Sequence, residues 1–488
     1  MKNKLLIYCI TILTLSCTKA YSLDYYWVGG TGNWSDFVNH WATTSGGGIF
    51  HPQVPTLNDN VYFDANSFTA AAQTVTIDQT IVYCRDMNWT GAANNPTFAG
   101  PSSNDLKIYG SLTFIAVMNL TFSGKTYFEA TTTGKTITMG GQSFNAYIYF
   151  QGVGGGWTFQ DTFNSSTWIH LVNGTVTTNN QAVNCGAIYS ASANARTLNL
   201  GSSMITISGS TWAWWVSSTN FILNAGTSLI KLTATGSPDI RNANSLTFYD
   251  VEFTDPNTTA SIISSNNCTF NIVTFNGHGR INGGHTYDTL TFSQGKTYEL
   301  QSGVIQTLTT LNANGTCTGY IDIRSITAGS QATMSKSAGS VTVNYVQFKD
   351  MNATGGAIFT ANNSVDLGNN TGWTINTLLP RDLYWIGGTG DWTDQAHWAN
   401  TSGGLGPECP PTFQDNVFFD ANSFTAPGQT VTINANASCK NMDWTGATNT
   451  PTLAGTSDLS IYSSLTFIAG MNLTFSGKTY FEATTTGK

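Results

Sequence analysis

Residues 268–300 read CTFNIVTFNGHGRINGGHTYDTLTFSQGKTYEL, and the parsing of this stretch decides the fold. Two runs, CTFNIVTF (268–275) and TLTFSQGKTYEL (289–300), are rich in Thr, Phe, Ile, Val and Leu, and the segment between them is rich in Asn and Gly. β-Branched and aromatic residues favour strands, and Asn-Gly clusters favour turns. Working outward, the same kind of run returns as LTFYDVEF (246–253), YIDIRSI (320–326) and VTVNYVQF (341–348), about every 20 to 25 residues, with no helical periodicity. Short strands at that spacing suit a parallel β-helix, in which each coil stacks on the last and buries its inward side chains in one continuous core. A β-sandwich array would place its turns every ~8–12 residues. The expectation is an all-β chain whose residues 136–380 form a right-handed parallel β-helix, or solenoid.

Two copies of a Trp-rich segment flank this tract. Residues 23–135 carry DYYWVGGTGNWSDFVNHW from Asp24 and residues 381–488 carry DLYWIGGTGDWTDQAHW from Asp382, and the match continues to an identical TFSGKTYFEATTTGK at 121–135 and 474–488. The repeating period is therefore about 355 residues. The chain stops where a second tract would begin, so it is expected to be a truncated product whose anchoring or sorting region and total repeat number lie beyond residue 488. Within the copy, Val61, Phe63, Val75 and Ile77 alternate with polar neighbours, the signature of strands with one buried face. Each copy is expected to be a compact β module.

Residues 1–22 have the layout of a signal peptide: Lys2 and Lys4, an apolar run from Leu5 to Leu15, then Ala20-Tyr21-Ser22 before Leu23. Lipidation at Cys17 is the rival reading, and Thr14 three residues earlier argues against it. The run is too short to span a bilayer, and no later stretch supplies a transmembrane segment. The expected location is secreted, extracellular or on the outer cell surface. Charged residues make up 9% of the chain and aromatic ones 12%, which excludes a disordered chain. Loss of Lys2, Lys4 and Lys19 with the signal takes the net charge from −8 to −11. Without a basic face, nucleic acid is not an expected partner.

The opening W-x-G-G-x-G-x-W-x-D-x-x-H-W, carried by Trp27, Gly29, Gly30, Gly32, Trp34, Asp36, His40 and Trp41, resembles the start of modules in large secreted repeat proteins of Bacteroidetes. It is also similar to the GNW-type openings of autotransporter passengers. The stretch VTVNYVQFKDMNATGGAIFTANNSVDLGNNTGWTI (341–375) resembles the closing segment of β-helix-like units in the same proteins. The resemblance implies an exported, adhesin-like surface protein, often carrying a type IX sorting domain. It brings no catalytic residues to map.

Candidate sites are few. Gly29-Gly30-Thr31-Gly32 lacks the strand and helix that a phosphate cradle needs, and reads instead as a tight turn packed under tryptophans. Eight of the fourteen tryptophans sit in the two copies. Trp34 and Trp41 are sugar-stacking candidates, although large aromatics more often fill a core. Trp212, Trp214 and Trp215 are the others. Strict alternation puts Trp212 and Trp214 on one face and Trp215 on the opposite one, so at least one of the three is a candidate for exposure.

Asp59 and Asp64, with Asp415 and Asp420 in the second copy, are weak calcium candidates, and Asx turns are the favoured reading. No other cofactor or metal is expected. His278, Arg280, His285 and Asp288, with Asp239, Arg241, Asp250 and Asp255 about one coil earlier, would line a groove of the kind polysaccharide lyases and glycosidases use. Solvated turn residues are the default for such a set. The six cysteines after the signal are scattered, and Cys409 with Cys439 is the candidate disulfide. The function expected is a non-catalytic adhesin or structural spacer, with glycans or cell-surface and matrix components as partners and no oligomeric state specified. The alternatives are a carbohydrate-binding module protein and, behind it, a β-helix polysaccharide lyase or glycosidase.

Overall fold

The computed structural model describes residues 22–488; the signal-like segment lies outside the described residues. The chain is nearly all-β, with about 1% helix, and its parallel strands stack as β-solenoid turns, about 19 in all. Among the described residues no helix is long and apolar enough to cross a membrane. Two compact units divide at Ile230/Lys231.

In the first unit each turn of the solenoid contributes one short strand to each of three faces. One face runs Asp24–Trp27, Asn60–Tyr62, Met87–Asn88, Leu112–Thr113, Lys135–Thr138, Gly156–Phe159, Gly174–Thr177, Arg196–Asn199 and Phe221–Asn224, all parallel. A second face holds Ile81–Cys84, Asp105–Ile108, Thr126–Phe128, Ile148–Phe150, Trp168–Leu171, Ala187–Ser190 and Trp214–Val216. Residues two apart on a strand share a face, so the in-register inward positions line up as apolar columns. Val61, Met87, Leu112, Ile137 and Phe159 form one such column, all buried. That column runs unbroken past residue 135. The first Trp-rich copy is thus not a separate module: it is the opening turns of the solenoid, and the sequence boundary at 135/136 has no structural counterpart.

The W-x-G-G-x-G-x-W-x-D-x-x-H-W motif closes the start of this core. Trp41–Ala42 pairs antiparallel with Asp24–Trp27 at the edge of the first sheet, which leaves no bare parallel edge there. The Trp27 indole donates to the Gly30 carbonyl at 2.8 Å, and the Trp41 indole donates to the Trp34 carbonyl at 2.9 Å. His40 stacks flat on Trp27, with centroids 4.6 Å apart and planes at 6°, and its Nδ1 lies 2.7 Å from the Val28 carbonyl. Gly29 and Gly30 take φ of 80° and 74°, and a Cβ on Gly32 would sit 2.0 Å from His40 Nε2. The glycines are therefore a turn fitted around a histidine wedge. The second copy repeats every part: Trp385 donates to Gly388 at 2.7 Å, Trp398 donates to Trp392 at 2.8 Å, and His397 stacks on Trp385 at 4.8 Å.

The second unit is built the same way. Val251, Val273, Leu290 and Leu311 stack in register, as do Phe253, Phe275, Phe292 and Ala313. Corners between strands use Asn in the left-handed region, for example Asn94, Asn179, Asn220 and Asn267 with φ of 66°, 54°, 53° and 55°. Asn tolerates this conformation better than any other residue with a side chain beyond Cβ. From residue 382 the cap recurs and starts a fresh set of three sheets.

The identical phrase at 121–135 and 474–488 isolates what stacking contributes. In the first copy Phe128 lies under Phe150, with rings 4.9 Å apart at 10°, and is 0% exposed; its counterpart Phe481 is 65% exposed. Phe128→Ala is expected to cost about 3–5 kcal/mol, and Phe481→Ala under about 1 kcal/mol, in denaturant unfolding. Equal costs would contradict the stacking account.

Candidate functional site

The outward face of the Ile81–Cys84 to Trp214–Val216 sheet carries a group of eight aromatic side chains outside the core. Tyr127, Tyr149, His170, Tyr189 and Trp215 occupy one register column on five successive rungs. Their ring centroids are 4.8, 4.4, 5.0 and 5.5 Å apart in turn. Beside this column Tyr147 lies 5.7 Å from Trp168, which is 5.8 Å from Trp212, and Trp212 meets Trp215 at 4.1 Å and 89°. Tyr147 and Trp212 are 40% and 39% exposed, and the other six rings are half-buried.

At the first rung Lys107 sits 5.2 Å over the Tyr127 ring and pairs with Glu129 at 3.3 Å, and Gln151 donates to Glu129 at 2.8 Å. At the last rungs Arg196 is buried and its guanidinium donates to the Ser190, Ser217 and Thr219 carbonyls. These carbonyls follow the strands of Tyr189 and Trp215, so one cation ties the two rungs together. The Tyr127 and His170 rings are themselves neutral at neutral pH, with the Lys107–Glu129 pair and Lys125 beside them. Burial, helped by Asp105, pushes the Tyr127 phenol up to about 12, and burial, helped by Lys125, holds the His170 imidazole down at about 4.

The sequence-predicted candidates fall on both sides of this face. Trp34, Trp41 and Trp214 are buried and cannot meet a ligand at the surface. Strict alternation misplaces Trp212: its φ of 57° breaks the strand, so Trp212 and Trp215 share the outside while Trp214 points in. Reading residues 212–215 alone misses Tyr127, Tyr147, Tyr149, Trp168, His170 and Tyr189. The signal was present as an aromatic residue at the same parity of each run, but the runs are between about 19 and 26 residues apart and fall into line only once the register is known.

The calcium candidates all accept hydrogen bonds from the protein, Asp64 and Asp420 as Asx turns and Asp59 and Asp415 from residues earlier in the chain. Asp59 accepts from the Thr56 amide at 2.9 Å, the Thr56 hydroxyl at 2.6 Å and the Leu23 amide at 3.1 Å. Asp415 accepts from Thr412 in the same way and from Arg381 at 2.8 Å, which puts a guanidinium beside the carboxylate. Asp64 and Asp420 accept from the Asn66 and Asn422 amides at 2.9 and 2.8 Å. Among the described residues no group of three His, Cys, Asp or Glu could hold a metal ion.

The charged set around Arg280 does not converge. Arg280 pairs with Glu299 of the next rung and Arg241 with Asp239 on its own strand. Asp250 accepts from the Asn271 side chain at 2.8 Å on a different sheet, Asp255 caps Asn257, and Asp288 is exposed beside Thr289. His278 Nδ1 accepts from the Thr297 amide at 3.0 Å. His285 is buried, with Nδ1 accepting from the Cys268 amide at 3.2 Å.

The disulfide is Cys317–Cys409, not Cys409–Cys439. Cys439 lies on the inward side of Ala437–Cys439 and is buried in that core, like its counterpart Cys84, whereas Cys409 sits in a loop held by Arg381 through its carbonyl at 3.2 Å. Fold and site define a β-solenoid repeat protein with a capped start and an outward aromatic strip. The chain matches no family model, no curated protein and no solved structure.

Two outcomes follow for the thiols and histidines. Burial pushes the Cys185, Cys268 and Cys439 thiols up to about 12. Alkylation of the native protein is therefore expected to leave them and Cys84 unmodified, with a non-reducing peptide map linking Cys317 to Cys409; a Cys409–Cys439 peptide would refute the pairing. His285, like His170, is held down at about 4 by burial. The unfolded chain then binds more protons than the folded one between pH ~6.5 and ~4, so stability is full above that window and is lost as pH falls through it, by up to about 1.4 kcal/mol per pH unit for the buried His285 and by less for the half-buried His170, which solvent screens. His285→Gln should flatten this slope in denaturant titrations at several pH values, and an unchanged slope would contradict the assignment.

Proposed function

We propose that this chain is an exported, non-catalytic repeat protein that acts at the outer cell surface or outside the cell as an adhesin or structural spacer. The observation that carries the reading is the use of charge. The groups able to do acid–base chemistry are engaged along and between rungs, as in Arg280–Glu299, Lys107–Glu129 and Lys231–Glu252, rather than gathered around a cleft. The outward residues instead repeat one chemistry from rung to rung. Besides the aromatic column there are amide pairs, Asn164–Asn184 at 2.8 Å, Asn199–Asn224 at 2.7 Å and Asn314–Asn344 at 3.0 Å. Such columns make extended binding faces, and the resemblance to secreted Bacteroidetes repeat proteins supports the same role.

Expression of residues 1–488 in a Gram-negative host of that group should yield a mature chain beginning at Leu23 and open to protease added to intact cells. A chain retained in the cytoplasm with Lys2 and Lys4 still attached would overturn the export reading. Soluble products released from a polysaccharide by the wild type, and abolished in Arg280→Ala or Asp255→Ala, would overturn the non-catalytic one.

A further inference from the structure

We infer that the aromatic strip of the first unit is a binding site for a linear, uncharged polysaccharide that lies along the stacking direction of the rungs. This deepens the adhesin reading and rests on its non-catalytic character.

The first support is the shape of the exposed apolar surface. Eight aromatic rings over five rungs form two adjacent columns on a sheet face. Exposed apolar patches of that kind on a folded protein mark interaction sites. Rungs of a parallel sheet repeat every ~4.8 Å, a spacing comparable to one pyranose ring with its linkage, so a sugar chain running along the stack meets an aromatic ring at each step.

The second support is where ring faces are free. Tyr127, Tyr149 and His170 lie nearly parallel, at 14° and 19°, and cover one another. From there several rings turn: His170/Tyr189 at 54°, Tyr189/Trp215 at 69°, Trp168/Trp212 at 49° and Trp212/Trp215 at 89°, while Tyr189 stays near-parallel to Trp168 and Trp212 at 24° and 26°. Turned rings cannot all cover one another's faces, and faces are what a pyranose stacks on. Trp212 is the most exposed of the turned rings and holds φ of 57°. For a bulky side chain that backbone costs about 1–3 kcal/mol, and such outliers gather at ligand clamps. Trp212 is lifted out of the core that Trp214 enters and packs instead against Trp168 and Trp215 on the outward face.

The third support is chemistry at the rim. Asn173, Asn194 and Asn220 lie in the turns that follow successive strands of the strip. Each donates its Nδ2 to a carbonyl of the preceding rung, Gln151 at 3.2 Å, Val172 at 3.2 Å and Ala193 at 2.9 Å. Each Oδ1 is left without a protein donor among the described residues, which makes a row of acceptors for ligand hydroxyls. This row and the neutral rings of the strip select among polymers that stack on aromatics. Single-stranded nucleic acid needs a positive groove, and the net charge is −8. A proline-rich peptide docks on aromatic grooves but has few donors for the acceptor row. A neutral glycan satisfies both features.

Affinity electrophoresis of residues 23–488 through gels containing a neutral β-glucan, xylan, mannan or starch tests this, with calorimetry on any polysaccharide that retards it. The expected result is retardation by at least one of them, with affinity at least tenfold weaker in Trp212→Ala/Tyr189→Ala. Trp212→Gly removes the ring while suiting the left-handed backbone, so it should keep or raise Tm and still weaken binding. Tyr26→Ala, which alters a stacked outward pair with Tyr62 on another sheet, should change nothing. The inference falls if no neutral polysaccharide retards the protein, if the strip variants bind as the wild type does, or if the strip instead binds only acidic polysaccharide or a proline-rich peptide. Release of reducing ends with retardation intact would sink the non-catalytic reading and leave the strip standing.

Discussion

Everything in this molecule depends on one turn of chain covering the apolar side chains of the turn before it. A strand of three or four residues has too little hydrophobic surface to hold itself in place against the loss of backbone freedom. Stacked in register it gains a parallel hydrogen-bond ladder on both sides and an inward column of Val, Ile, Leu, Met or Phe. The Val61 to Phe159 column shows how exact chemistry matters less than parity: five different apolar residues fill equivalent positions because each needs only an apolar neighbour above and below. Cooperation of this kind passes from neighbour to neighbour, as in other repeat proteins.

The start of such a stack is a separate physical problem, because among the described residues its first turn has no predecessor to cover it. Here the solution is tryptophan. Trp27, Trp34 and Trp41 are all fully buried, His40 is wedged flat against Trp27, and a two-residue antiparallel strand ends the sheet. The glycines of the motif serve this arrangement by leaving room for the imidazole ring. That the whole set recurs at Trp385, Trp392, His397 and Trp398 shows that the motif carries a structural job that is complete in itself.

The solenoid architecture was legible in the spacing of β-forming runs, since burial of alternate residues leaves a mark in any sequence that folds this way. The Trp-rich segments were legible as repeats but misleading as modules: a composition change at residue 135 does not alter the register that carries Leu112 onto Ile137. The aromatic strip was mostly hidden, because rung length varies and an outward column exists only in register space. The alternation rule failed at Trp212, where a left-handed residue resets the parity. The disulfide was missed because spacing along the chain says nothing about which way a thiol points, and Cys439 faces the core.

The recurrence of a self-sufficient cap inside the chain has a consequence for how such a gene can change. A recombination event that adds or deletes one period of about 355 residues brings its own starter along, so each surviving stack still begins on closed tryptophans. Length can then drift between lineages without any need for compensating substitutions.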